Sequence, residues 1–205
     1  GLCVELGSGI GNIRDVIPNC RRTDLFPKPW LDGVENAYRL SLPDQSVRNL
    51  ILFDVFHHLA YPGTALHECR RVLAAGGRLI LFEPCMSLLG RLVYGPMHPE
   101  PLGLDAPIQW LAPDDFDPDE APYYAAQGNA WRLFVRSDSR PDLTGWTIVT
   151  TRRFAAVSYV ASGGFSGPQL YPQSPLGLMH LLDRACDCLP SLFATRLLVV
   201  LEKSD

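Results

Sequence analysis

At 205 residues, 47% hydrophobic and 20% charged, the chain has the size and composition of one well-buried domain rather than two. A net charge of −4 and the lack of any Lys/Arg run exclude the basic field that a nucleic acid requires, so the expected partner is a small molecule. No apolar run reaches the ~18 residues that span a bilayer, and no signal peptide is visible.

The chain opens almost inside a strand, Leu2 to Leu6, which leaves room for a segment upstream. Directly behind it comes "ELGSGIGN", Glu5 to Asn12, with glycines at positions 7, 9 and 11. Glycines so placed let backbone approach a ligand where any Cβ would collide, although a tight strand-to-helix turn uses them for geometry alone. A dinucleotide turn, Gly-x-Gly-x-x-Gly, would need its third glycine at position 12, where Asn12 stands, so a nicotinamide dehydrogenase is disfavoured. The acid at Glu5 suits an ammonium-bearing ligand better than a pyrophosphate.

Asn12 to Ile17 reads as a short helix stopped by Pro18, and Cys20 to Asp24 as a second strand weakened by two arginines. Pro27 and Pro29 prevent a helix in "LFPKPWLDGVE", leaving that side of the sheet thinly covered. Leu50 to Asp54 is a buried strand, apolar until its final acid. Thr64 to Ala75 has helical spacing, with Leu66, Cys69, Val72 and Leu73 on one face, and Gly76-Gly77 ends it. Arg78 to Glu83 is the next buried strand. Strand, helix and strand in this rhythm predict a doubly wound, mostly parallel α/β sheet.

From Met86 to Gly145 the chain is rich in Pro, Asp and aromatics and has no sustained period, which predicts a lid or substrate-shaping insertion. Its Tyr94, His98, Glu100, Trp110, Tyr123, Tyr124 and Trp131 are candidates for an acceptor pocket or for a small core of the insertion. The run Asp114 to Glu120 lacks the glycine and terminal glutamate of a calcium loop and reads as a solvated acidic loop. Thr147 to Arg153 and Arg196 to Lys203 are the last strands. Between them Leu178, Leu181, Leu182, Ala185 and Leu189 form a helical stripe, expected to pack on the sheet, with a membrane surface as the alternative. The six cysteines read as reduced thiols in a cytoplasmic protein, Cys186 and Cys188 included, and no metal site is expected.

The ordered series "LSLPDQSVRNLILFDVFHHLAYPGTALHECRRVLAAGGRLILFEP", Leu40 to Pro84, together with Glu-x-Gly-x-Gly-x-Gly from Glu5, resembles the class I S-adenosylmethionine-dependent methyltransferases, in particular those acting on small molecules. The resemblance covers Leu2 to Pro84 well and the final strand pair loosely. It implies one Rossmann-like domain over 1–205: a cofactor half at 1–85, an insertion at 86–146 after the fifth strand, and an antiparallel end at 147–205.

It further implies that Glu5, Gly7, Gly9 and Gly11 lie under the methionine portion and ribose of S-adenosylmethionine. Asp24 would take both ribose hydroxyls, its other reading being a turn cap. Asn36 and Ala37 stand where an acid and Ala usually meet adenine, and Phe53 and Asp54 would border the cofactor. His57 and His58 stand just past the fourth strand as candidate catalytic bases, one of them expected to be a packing residue. Ala75 replaces the family's usual proline, and the helices that precede the first strand in family members are not in this sequence. A non-catalytic cofactor-binding or scaffold protein of the same fold is the alternative.

Overall fold

The computed structural model describes residues 1–136, 142–163, 168–172 and 175–204. Seven strands form one sheet in the order β3-β2-β1-β4-β5-β7-β6. They are β1 (Leu2–Leu6), β2 (Cys20–Asp24), β3 (Gly33–Val34), β4 (Val47–Phe53), β5 (Leu73–Pro84), β6 (Trp146–Phe154) and β7 (Arg196–Lys203). The first five run parallel, and β7 lies antiparallel between β5 and β6. The fold is therefore the expected doubly wound sheet with an antiparallel end.

Burial explains the strand compositions. Leu50, Leu52, Leu79, Leu81, Leu197, Val199 and Leu201 are buried in the central strands, which read as apolar runs because both faces are covered. The edge strand β6 keeps its Thr and Arg side chains largely in solvent, as an edge exposed to other chains should. Helix α1 (Pro62–Val72) lays Ala65, Leu66, Cys69 and Val72 on the sheet.

This helix begins and ends earlier than its spacing predicts. Leu73 pairs with Val47 at the start of β5, so the chain leaves the helix at Val72, and Gly76 makes its turn at φ 63° inside the strand segment. Strand pairing of a fully buried Leu outweighs one more helical turn. By the same pairing β4 starts at Val47 rather than Leu50.

Segment 86–145 holds helix α2 (Leu88–Tyr94), a 3-10 turn at Pro118–Glu120, and the short helix α3 (Asn129–Trp131), which runs into a π-turn at Arg132–Arg136. None of these is long enough to show a period in sequence. Ala130, Leu133 and Phe134 join the central core, with the Phe134 ring 5.8 Å from that of Phe56. The insertion is thus partly core.

Helices α4 (Val157–Ala161), α5 (Leu176–Cys186) and α6 (Pro190–Phe193) connect β6 to β7. Here the structure reverses an expectation. Leu178, Leu181, Leu182 and Leu189 are exposed, and the helix is held through its acids instead. Asp183 accepts the Ser158 N–H at 3.0 Å, and Asp187, just past the helix, accepts the Ala155 N–H at 2.7 Å. Those amides open the turn into α4, where Ala156 takes φ 47° and no intrahelical acceptor exists. Satisfying them outweighs burying the leucines.

Among the described residues, no helix is long and apolar enough to cross a membrane, and the six cysteines are free.

Candidate active site

In an open parallel sheet, ligands bind beyond the C-terminal strand ends where the strand order reverses. Here that point lies between β1 and β4. The glycine turn leaves β1, Asp24 ends β2, and Asp54 to His58 leave β4, so the topology gathers most of the sequence-predicted site residues at one edge.

The glycine turn is built in the left-handed region, with φ values of 72°, 51° and 75° at Gly7, Gly9 and Gly11. The three glycines do different things. A Cβ at Gly7 would stand 2.3 Å from Val55 Cγ2, and one at Gly11 would stand 3.0 Å from Trp30 Cδ1. A Cβ at Gly9 would meet nothing within 4 Å. Gly7 is thus a packing glycine between the loops after β1 and β4, whereas Gly9 lines open space.

Two neighbours fix the turn. Asp24 Oδ2 accepts the Gly9 N–H at 3.0 Å, and Trp30 Nε1 donates to the Gly9 carbonyl at 2.9 Å. Asp24 Oδ1 accepts the Phe26 N–H at 3.3 Å. Trp30 comes from the proline-broken connection after β2, and its role has no sequence signal beyond its proximity to Pro29.

Glu5 is buried, and its Oε2 has no hydrogen-bond partner. Burial pushes its carboxyl above its ordinary value, more than the Ser8 side chain and the Arg22 guanidinium pull it down. An orphaned buried carboxylate oxygen beside an open glycine cradle fits a ligand that brings a positive or hydrogen-bond-donating group. S-adenosylmethionine is such a ligand, and the residues present fit it.

Asn36 is engaged elsewhere. Its Nδ2 donates to the Pro118 carbonyl at 2.8 Å and its Oδ1 accepts the Tyr38 N–H at 3.0 Å. Ala37 beside it packs against the core. Phe53 stacks on Phe82 with ring centroids 4.9 Å apart. Asp54, at φ 55°, is gripped by both terminal nitrogens of Arg196.

The two histidines sit in a 3-10 turn, Phe56–His58. His57 is 2% exposed, and its Nδ1 lies 2.7 Å from Glu83 Oε2. Glu83, fully buried at the end of β5, also accepts the backbone N–H groups of Val55, Phe56 and His57 at 2.9, 2.7 and 3.3 Å. Burial opposes a charge on His57, but the carboxylates of Glu83 and Glu100 outweigh it and raise the imidazolium pKa to about 10. So held, His57 carries its proton at neutral pH and donates rather than accepts.

His58 is one-third exposed, with Nδ1 3.0 Å from the Tyr124 carbonyl and Nε2 3.8 Å from Glu100 Oε1. Glu100, in the insertion, accepts from Tyr123 Oη and Gln127 Nε2 and lies 3.6 Å from His57 Nε2. The His57 imidazolium beside it holds its carboxyl down to about 2, and the same carboxylate raises the Tyr123 phenol to about 12. The insertion thus reaches the histidine turn through Glu100, Tyr123 and Tyr124, three of the residues suggested for an acceptor pocket. The role of Glu83 is missing from the sequence reading, where it is only the acid closing an apolar strand.

Residues 5–81 match the methyltransferase domain family, and no curated protein matches the chain. Among similar solved structures, a S-adenosylmethionine-dependent methyltransferase from Archaeoglobus fulgidus is 11% identical, with TM-score 0.57 over 99% of this chain and 87% of that one. One from Thermotoga maritima, described as a possible histamine N-methyltransferase, is 14% identical, with TM-score 0.52 over 100% and 83%. A chain from the complex of the Haloferax volcanii Trm112 methyltransferase activator with a methyltransferase is 15% identical, with TM-score 0.51 over 100% and 83%. Residues 5–81 thus match the methyltransferase domain family, and the chain as a whole has the fold of the class I S-adenosylmethionine-dependent methyltransferases.

Proposed function

We propose that this protein transfers a methyl group from S-adenosylmethionine to a small-molecule acceptor. The observation that carries the reading is the open cradle at Gly9, flanked by the unpartnered Glu5 carboxylate oxygen and by Asp24. When bound, the cofactor supplies a methyl group on a sulfonium, so the protein's task is to orient and to exclude water.

In this reading Glu5 meets the charged methionine portion. Asp24 exchanges its bond to the Gly9 N–H for the ribose hydroxyls. Gly7 and Gly11 keep the turn close to its neighbours, and Phe53 and Asp54 form the border on the β4 side. Asn36 and Ala37 stand on the adenine side, and Asn36 must release Pro118 or share its carbonyl oxygen to take part. His58, one-third exposed, is the group assigned to the acceptor, and His57 behind it holds the turn through Glu83. The acidic net charge and the free cysteines support a small-molecule acceptor and a cytoplasmic location.

Calorimetric titration with S-adenosylhomocysteine and with NAD tests the cofactor. Saturable binding of the first alone is expected, and tight NAD binding with none of the sulfur cofactor overturns the reading. Transfer of labelled methyl to a panel of small hydroxyl and amine acceptors tests the reaction. The second reading, a cofactor-binding or scaffold protein without turnover, draws on the engagement of Asn36 by Pro118. Binding without transfer to any acceptor would favour it.

A further inference from the structure

We propose that His57 Nε2, His58 Nε2 and the Glu100 carboxylate form a binding site for one divalent transition-metal ion, of which Zn²⁺ suits the donor set best. The two imidazole nitrogens lie 3.6 and 3.8 Å from oxygens of Glu100, and the three donor atoms fall within 4.8 Å of one another. Ligands held at ~2.0–2.2 Å from a tetrahedral Zn²⁺ sit roughly 3.4 Å apart. Shifts of a few tenths of an ångström would bring both imidazole-to-Glu100 distances to that value.

Orientation argues more strongly than distance. A metal-bound histidine ordinarily gives its other ring N–H to a carboxylate or a backbone carbonyl, which fixes the tautomer and aims the free nitrogen. Both histidines have that arrangement. His57 Nδ1 faces Glu83 at 2.7 Å and His58 Nδ1 faces the Tyr124 carbonyl at 3.0 Å, so both Nε2 atoms turn toward Glu100. Glu83 is itself anchored by three backbone amides, and Glu100 is steadied by Tyr123 and Gln127.

Charge points the same way. The Glu83 and Glu100 carboxylates converge on the pair of imidazoles, and a dication that displaces the Nε2 proton of His57 to solvent would offset their two negative charges. The neighbouring trio of Asp54, His57 and Glu83 does not qualify. Its histidine nitrogen is already committed to Glu83, and Asp54 is committed to Arg196. His98 is also set aside, because its Nδ1 accepts the Glu100 N–H at 3.2 Å.

Three protein ligands leave a coordination position open, where a metal ion lowers the pKa of a bound hydroxyl or water. Resting on the methyl-transfer reading, that position is where an acceptor hydroxyl would sit, with His58 acting as a ligand rather than as a base.

The test is a Co²⁺ titration of the chelator-stripped full chain, read by visible absorption and followed by displacement with Zn²⁺. One equivalent of Co²⁺ per chain is expected, with visible bands that vanish on Zn²⁺ addition. Glu100→Gln and His58→Ala should abolish the bands, and Glu83→Gln should weaken binding ~10–100-fold. His180→Ala, on α5, should leave binding unchanged. No saturable binding by the unsubstituted chain overturns the proposal, as does binding that survives Glu100→Gln. Glu100 lies in the partly exposed insertion, so that variant remains informative if His58→Ala fails to fold. Binding of S-adenosylhomocysteine without Co²⁺ removes the metal site and leaves methyl transfer standing, and the converse result does the opposite.

Discussion

Asp54 and Arg196 form a two-pronged ion pair across the sheet: Arg196 Nη2 donates to Asp54 Oδ2 at 2.8 Å and Nη1 donates to Oδ1, although β5 lies between their strands. The guanidinium is 3% exposed and sits over the rings of Phe53, Phe82 and Tyr159 at 5.3, 5.4 and 4.6 Å. Burial alone would lower the Arg196 pKa, and the hydrogen bonds to Asp54 outweigh it and raise it. Asp54→Ala leaves a buried cation without its partner, which costs about 3 kcal/mol in urea unfolding. Adding Arg196→Met should restore much of that loss. A change under about 1 kcal/mol in the single variant would show that solvent already compensates the pair.

Gly7 and Gly9 should respond differently to alanine. At Gly7 the added methyl strikes Val55, so Gly7→Ala should lower the midpoint of thermal unfolding by several degrees. At Gly9 the space is open, and the cost is the left-handed backbone, roughly 1 kcal/mol. Gly9→Ala should therefore fold but bind S-adenosylhomocysteine at least ~10-fold more weakly, since its Cβ occupies the cradle. Undiminished binding by Gly9→Ala would remove the cradle from the cofactor site.

Asp24→Ala should cost far more S-adenosylhomocysteine affinity than Asp44→Ala. A charge-assisted pair of hydrogen bonds is worth ~1.5–3 kcal/mol, a tenfold loss or more. Asp44 instead meets Arg71 on the surface at 2.5 Å with its side chain 72% exposed, and its removal should leave calorimetric affinity unchanged. Equal small losses would displace Asp24 from the ribose.

Glu5 gives a pH-dependent stability of known sign. Burial raises its folded pKa, so folding favours the protonated acid. That contribution is complete below the unfolded value of ~4.3 and is lost as pH rises through the folded value. Glu5→Gln should therefore match the unsubstituted chain in thermal stability near pH ~3.5 and exceed it at pH 7, while losing cofactor affinity. Equal stability of the two proteins at both pH values would show that the carboxylate is solvated after all.

The cofactor half was legible because its signals are local. A buried parallel strand announces itself as an apolar run, so Leu2 to Leu6 stands where its residues predict, and Cys20 to Asp24 forms a strand in spite of its two arginines. The glycine spacing likewise fixed the turn. What escaped depends on partners far along the chain. The helix end at Val72 is decided by Val47, which pairs with Leu73. The stripe of leucines on α5 has the right spacing to pack, yet the outcome was set by unsatisfied amides at Ala155 and Ser158. His57 and Glu83 are 26 residues apart, and neither carries a sign that the other orients it. Glu100 joins them from an insertion without periodicity, which leaves its place to tertiary structure alone.

Segment 118–124 is fastened at both ends of its path. At Pro118 it is held by Asn36, which follows β3, and at Tyr124 by His58, which follows β4. Arg39 adds an ion pair to Asp119. With β2 and β1 lying between those strands, the segment passes the edge from which Asp24 and the glycine turn project. A ligand seated there, as proposed above, would share its exit with this clasp. Its residence time would then follow how often the clasp lets go, and loosening it at the Arg39–Asp119 pair, which has no assigned ligand contact, would shorten occupancy while the contacts of the ligand itself stay the same.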